Sequence, residues 1–429
     1  MKSEKNRRID LKYNGKIKTL QVPSDRLLAV ISPNQVTITD DPRAEILRAL
    51  RAPVQAPPLA EAVRGARRVV IAADDMTRLT PVEVILPIIF DELNRGGVKD
   101  EQVTVLVALG THRAMTRQEL LEHFGPEVMR RVQVINNPWQ DPAQMVDLGV
   151  TENGTPVSIS RLALESDFLL GVGSIVPHHI PGYSGGAKII QPGLTGAATT
   201  GATHFLSTRT RRYYLGMVEN PVRTEMEQIA DRVGLKAIFN VVLNSDGWLV
   251  RAFYGHPVAA HRAGAKVAEA VNGVLLPGLA DVVLANAYPC EIEFWQSHKA
   301  LYPADIAVKP GGVIVVHAAC PEGVAVMHPE MLSFTGLPSS EIAARIEDGR
   351  IPDVTSGALA LAWAKVRENA SVYLVSEGIT PDEARALGYT PFSDLESAVD
   401  AALASQGKDA RLTVLTHAPD TLPIVPATR

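Results

Sequence analysis

Residues 67–113 read RRVVIAADDMTRLTPVEVILPIIFDELNRGGVKDEQVTVLVALGTHR, and this stretch decides the fold. Two short, continuous apolar runs, 67–73 and 102–110, flank a longer segment with helical spacing. Strands that are apolar on both faces and joined by a helix belong to a parallel sheet covered on both sides. The same run recurs as RVQVIN at 131–136 and DFLLGVG at 167–173, and again as ADVVLANA at 280–287, GGVIVVHAA at 311–319, ASVYLVS at 370–376 and RLTVLTH at 411–417.

Two other local patterns differ. IDLKYNGKIKTLQV at 9–22 sets Asn14-Gly15 between alternating runs, which predicts a small N-terminal β-hairpin. KAIFNVVLNSDGWLVRAFYG at 236–255 reads as a second hairpin around Ser245-Asp246-Gly247. The expected fold class is therefore α/β: two α/β domains with mainly parallel sheets, a ligand cleft between them and a small N-terminal β-hairpin. The boundaries read as 1–270 for an N-terminal domain and 271–429 for a C-terminal domain.

A formal charge of −5 over 429 residues gives no basic face for nucleic acid, so a small-molecule ligand is expected. Two cysteines, Cys290 and Cys320, exclude a disulfide framework and fit a reducing compartment. The first fifteen residues lack the apolar core of a secretion signal, and no apolar run approaches the roughly 18 residues a membrane helix needs. A cytoplasmic protein without a membrane partner is the expectation, and the oligomeric state is left open.

In open α/β sheets ligands sit beyond the carboxyl ends of strands. After 67–73 come Asp74, Asp75 and Arg78; after 102–110 come His112 and Arg113; after 167–173 comes a loop with His178, His179 and Lys188; after 280–287 come Tyr288 to Lys299. Residues 182–186 match G-x-S-x-G, yet Pro177 and Pro181 break the approach, and Gly185, Gly186 and Pro192 disfavour the helix a nucleophile elbow requires. The glycines suit an anion nest, with Lys188 adding charge, and His204 alone makes a poor metal site.

The combination resembles the nickel-dependent lactate racemase family, the 2-hydroxyacid racemases and epimerases. The matching pieces are DDMTRLTP at 74–81, ALGTHR at 108–113, PHHIPGYSGGAKIIQPG at 177–193, THF at 203–205, NPVR at 220–223 and YPCEIEFWQSHK at 288–299. The resemblance implies a nickel-pincer nucleotide, pyridinium-3-thioamide-5-thiocarboxylic acid mononucleotide with nickel, covalent on Lys188 and supplied by cofactor-biosynthesis enzymes. It implies His204 as the protein ligand to nickel, and His112 and His178 as the acid and base of a hydride-transfer racemisation, with His179 competing for the latter role. Arg78, Lys299 and Gln296 would then bind the substrate carboxylate, with Asp75 orienting Arg78 or meeting the cofactor and Gly185 and Gly186 serving its phosphate.

Trp295 replaces the usual tyrosine beside the substrate, and Gly357 stands where the lactate enzymes carry a tryptophan, so a substrate longer than lactate is expected. The alternative is a hydrolase acting through Ser184, or through zinc on His112, His178 and His204.

Overall fold

The computed structural model describes residues 6–210 and 213–426. They form two compact units: one of residues 35–210 and 214–271, the other of residues 6–34 and 272–426 with Tyr213. Residues 6–34, assigned to the first domain by the sequence reading, thus pack with the C-terminal unit. The reason is strand pairing: Leu27–Ile31 adds in parallel to Leu412–Leu415, and the expected hairpin, Asn6–Tyr13 with Lys16–Pro23, buries Ile9, Leu11, Leu20 and Val22 in that unit's core.

The unit of residues 35–271 is built on a six-stranded sheet in the order Leu249–Gly255, Leu235–Leu243, Phe168–Ser174, Val69–Ala73, Val103–Val107, Gln133–Asn136. Every neighbouring pair is parallel except the first, the expected hairpin around Ser245-Asp246-Gly247. Val69–Ala73 is buried along its whole length, as the continuous apolar run requires. Its helix Val82–Arg95 packs Ile85, Leu86, Ile89 and Phe90 against the same core as Ile71, Val105 and Leu170.

The other unit carries a wholly parallel six-stranded sheet, ordered Thr390–Phe392, Ser371–Val375, Val308–His317, Ala280–Asn286, Leu412–Leu415, Leu27–Ile31. At the end of Ala280–Asn286, the Asn286 amide donates to the carbonyls of Lys12 (2.9 Å) and Thr416 (3.0 Å), pinning the hairpin to the sheet. Tyr13 stacks on His317 with ring centroids 4.2 Å apart. No described helix is long and apolar enough to cross a membrane.

Leu11 is almost completely buried. Leu11→Ala is expected to cost about 2–5 kcal/mol. Hydrogen exchange should show the loss at 308–317 and 412–415 and leave protection at 168–174 intact; equal loss at all three would contradict the assignment of the hairpin to the C-terminal unit.

Candidate functional site

Three adjacent strands, Phe168–Ser174, Val69–Ala73 and Val103–Val107, end at the same edge of the first sheet. The Asp74 carboxylate sews two of these ends together, since Oδ2 accepts from Ser174 N (3.1 Å) and from Thr80 Oγ1 (2.7 Å). Burial pushes its pKa up. Asp75, next in the chain, behaves oppositely. Burial alone would raise it, but the charge and hydrogen bond of His112, with help from Arg78 and Thr77, hold it well below the usual carboxylate range.

The Asp75–His112 contact joins the second and third strand ends: Oδ2 lies 2.6 Å from His112 Nδ1, and Oδ1 accepts from Thr77 N (3.0 Å) and Thr77 Oγ1 (2.5 Å). With an ionised carboxylate as acceptor, Nδ1 must carry the proton, so the lone pair of the neutral ring is on Nε2. Trp139 Nε1 donates to the His112 carbonyl (3.1 Å) and steadies the turn from behind. Asp75 therefore bonds His112 through its side chain, while Arg78, whose guanidinium lies 3.2 Å from Thr77 Oγ1, meets Asp75 through its backbone N–H.

The long loop after Ser174 is held by buried polar groups. Arg223, fully buried on the helix Pro221–Val233, donates to the carbonyls of Pro181 (3.3 Å), Gly185 (3.0 Å) and Tyr183. Burial lowers its pKa to about 10, which still leaves it charged at neutral pH. Asn240 Oδ1 accepts from Gly186 N (2.8 Å), and its amide donates to Gly173 O (3.1 Å). His261 Nε2 donates to Ser184 O (2.9 Å), and a Cβ on Gly186 would fall 2.9 Å from the His261 ring, so only glycine fits there. The Gly186 amide, expected to face an anion, is thus engaged by Asn240.

Beyond these contacts the chain makes a 3₁₀ turn, Gly186–Ile189, from which half-buried Lys188 projects among fully buried neighbours.

His178 and His179 are both buried and stack with centroids 4.7 Å apart. His178 Nδ1 accepts from Ile180 N (3.2 Å), so the proton of its neutral ring is on Nε2, the reverse of His112. His204 lies on the helix Ala197–Ser207, where Nδ1 donates to the Thr200 carbonyl (2.8 Å). That backbone bond fixes the tautomer that offers Nε2 to a metal, the usual arrangement behind a ligating histidine.

Neither hydrolase arrangement has its parts. Ser184 Oγ donates to Ser174 O (2.8 Å) and accepts from Val176 N (2.9 Å), so the hydroxyl serves the loop. Among the described residues, one group of three His, Cys, Asp or Glu residues has ligand atoms within 4.8 Å of one another, and it is His328, Glu330 and Asp353, not His112, His178 and His204.

In the other unit, Trp295 and Gln296 lie on the short helix Phe294–Ser297, and Lys299 follows and donates to Gln296 Oε1. Trp295 is buried and stacks on His328, with centroids 4.0 Å apart and planes 13° from parallel. Gly357 sits in the helix Val354–Asn369, and a Cβ there would lie 2.9 Å from Ile346 Cγ1 and 3.0 Å from Ile351 Cγ2. The room expected from losing a ring at Gly357 is filled by these two isoleucines.

Sequence reasoning passed over Asn240, His261 and His328, and held Arg223 only as part of the NPVR match, with no role given. For Arg223 a signal existed, because it lies beside Val222, Met226, Ile229 and Val233 on the buried side of its helix, where Glu225 is the other charged residue.

Residues 13–215 match the family model described as the lactate racemase N-terminal domain, and residues 278–422 match the lactate racemase C-terminal domain. The chain is 27% identical to a lactate racemase of Thermoanaerobacterium thermosaccharolyticum over 95% of this chain and 97% of that protein. It is 26% identical to a lactate racemase of Lactiplantibacillus plantarum over 97% and 99% respectively. The fold matches the lactate racemase apoprotein of T. thermosaccharolyticum with a TM-score of 0.88 at 25% identity, covering 97% of this chain and all of that one. A protein from Thermotoga maritima shares the fold at a TM-score of 0.73 and 18% identity, over 91% of this chain and all of that one.

Arg223→Leu takes the guanidinium from three carbonyls, of which Gly185 O keeps Lys188 N at 3.3 Å, and at about 1–3 kcal/mol for each buried group left unsatisfied the loss should reach a few kcal/mol. The expected readout is faster hydrogen exchange at 182–188; an unchanged exchange pattern would show that the loop stands without it. The depressed Asp75 carboxyl contributes stability above its ordinary pKa of about 4, and that contribution is lost as pH falls towards its folded value. Asp75→Asn should therefore lower stability near neutrality and flatten the acid limb of a stability–pH curve, measured by urea unfolding between pH 3 and 7.

Proposed function

The chain belongs to the lactate racemase family and is an isomerase; on that premise we propose that it inverts the C2 centre of a 2-hydroxycarboxylic acid with a nickel-pincer nucleotide tethered at Lys188. The observation that carries the proposal is the pair His112 and His178, buried or half-buried beyond two strands of one sheet that flank Val69–Ala73, with opposite proton placement. Such a cofactor, when bound, supplies the acceptor and donor for the C2 hydrogen as hydride.

The chain's own residues fit that group. Lys188 offers an amine on a turn braced by Arg223, Asn240 and His261. His204 offers Nε2, its other nitrogen being held by Thr200 O. One histidine suffices only if the cofactor chelates the metal itself, since protein-only sites need three or four ligands.

Oxidation at C2 requires the hydroxyl to give up its proton, and re-formation of the alcohol requires a proton back. Neutral His112 presents an acceptor at Nε2, and Asp75 stabilises the imidazolium that results. To return a proton to the oxygen His178 must act from its imidazolium form, protonated on both ring nitrogens and with the 3.2 Å contact from Ile180 N given up; once it has given the Nε2 proton it is neutral with its proton on Nδ1, and can take a proton at Nε2 when the opposite enantiomer reacts. That contact is longer than the charge-assisted bond of His112, so its loss is small beside the bond His112 retains.

Arg78 is proposed to clamp the substrate carboxylate, with Lys299 and Gln296 as further substrate contacts and Trp295 as a wall.

Coexpression with cofactor-biosynthesis enzymes in nickel medium should give a nickel-containing mass adduct on Lys188, absent in Lys188→Ala. Full racemisation by Lys188→Ala would remove the proposal. In loaded enzyme, Asp75→Asn is expected to lower kcat by about 10- to 100-fold with KM little moved, since it removes the partner of the base. Arg78→Ala should mainly raise KM.

A further inference from the structure

Resting on the roles proposed for His112 and Arg78, we infer that Thr77 is a positioning residue whose hydroxyl stands between the Asp75 carboxylate and the Arg78 guanidinium, so that the first serves the base and the second serves the substrate instead of pairing with each other.

The three residues follow the buried strand Val69–Ala73 in quick succession. Asp75 Oδ1 accepts from Thr77 N (3.0 Å), a tight turn that brings the Thr77 side chain back to the same oxygen, with Oγ1 2.5 Å away. Oγ1 also lies 3.2 Å from Arg78 Nη1, which reaches the Thr77 carbonyl at 3.4 Å. Burial opposes the charge on Asp75, yet His112, Arg78 and Thr77 together keep the carboxyl ionised. The polarity of the bridge is then forced. A carboxylate only accepts, a guanidinium only donates, and a hydroxyl has one proton and two lone pairs. The Thr77 proton therefore goes to Asp75, and a lone pair is left for Arg78.

Without such a bridge the two charges would meet. An arginine so near a buried carboxylate is placed for a direct, two-pronged pair, the strongest arrangement open to those groups. Closing that pair would occupy the fork needed for a substrate carboxylate. It would also divide between two cations the negative charge that His112 relies on when it becomes an imidazolium. In the observed arrangement both oxygens of Asp75 are engaged among the described residues, Oδ2 with His112 Nδ1 and Oδ1 with Thr77. Thr77 thus satisfies Oδ1 without bringing a charge to it. Valine has the same shape and neither function, whereas serine keeps the hydroxyl and loses only the branch at Cβ that limits χ1.

In loaded enzyme Thr77→Val is expected to lower kcat and to raise KM, each by about 10-fold, while Thr77→Ser stays within about threefold of wild type in both. A residue that only stabilises its turn would lower thermal stability and leave both constants in place, and that result overturns the inference. The coupling is read from double variants: adding Thr77→Val to Arg78→Ala should raise KM no further, and adding it to Asp75→Asn should lower kcat no further. Effects that multiply in both backgrounds overturn it as well. Unloaded protein gives a test independent of the racemase reading, since in the crystal structure of Thr77→Val an Arg78 nitrogen should lie within about 4 Å of an Asp75 carboxylate oxygen. A guanidinium left where it stands in the wild type refutes the inference whatever the activity. A closed Arg78–Asp75 pair in the variant, with no turnover by wild-type protein carrying a verified Lys188 adduct, overturns the racemase reading alone. Should Thr77→Val fail to fold, Thr77→Ala carries the same expectations.

Discussion

One buried guanidinium organises the chemistry of the first unit. Arg223 lies in the interior of its helix and gives its donors to three carbonyls of a loop whose own regular structure is one two-residue strand pair, Pro177–His178 with Gly182–Tyr183, and a 3₁₀ turn. A loop carrying Pro177, Pro181, Gly182, Gly185 and Gly186 cannot satisfy its backbone internally, and a buried carbonyl must be paired. The planar fork of arginine reaches several acceptors at once, which a lysine ammonium on a single stem does not. His261 and Asn240 finish the same task from neighbouring elements, so that Lys188 emerges from a turn whose own amides and carbonyls are already engaged.

The parallel sheet supplies the complementary constraint. Because adjacent strands run the same way, their ends deliver Asp75, His112 and His178 to one edge without any special loop design. The distinction between the two histidines is then made by what meets Nδ1: a carboxylate for His112 and a backbone N–H for His178. Identical side chains thereby hold their protons on opposite nitrogens, a difference set entirely by surrounding atoms.

Much of this was legible because buried parallel strands write themselves as continuous apolar runs, as in VVIAA and FLLGVGS, and because Asn-Gly marks a hairpin at 14–15. The residues beyond the strand ends were legible for the same reason. Pairing between distant segments was not. Leu27–Ile31 is a short apolar run whose partner lies almost the length of the chain away, so nothing local assigned it to the C-terminal sheet. The hydrogen-bond roles of Arg223 and Asn240 depend on which loop carbonyls and amides fold against them. Gly357 carried the opposite lesson, since an absent side chain suggested space that Ile346 and Ile351 occupy.

The division of residues follows from what the reaction must treat alike. Any 2-hydroxyacid presents the same carboxylate, hydroxyl and hydrogen at C2, so the groups proposed to act on C2 are best fixed by rigid strand ends and a braced loop. Whatever hangs beyond C2 differs between substrates, and the residues facing it are best carried where change disturbs little. Trp295, proposed as a wall for the substrate, meets that description: it sits on a single helical turn and stacks on His328 rather than on a sheet. Substituting Trp295 leaves His112 and His178 with all their own hydrogen bonds, which is the condition under which one reaction can be turned to different acids.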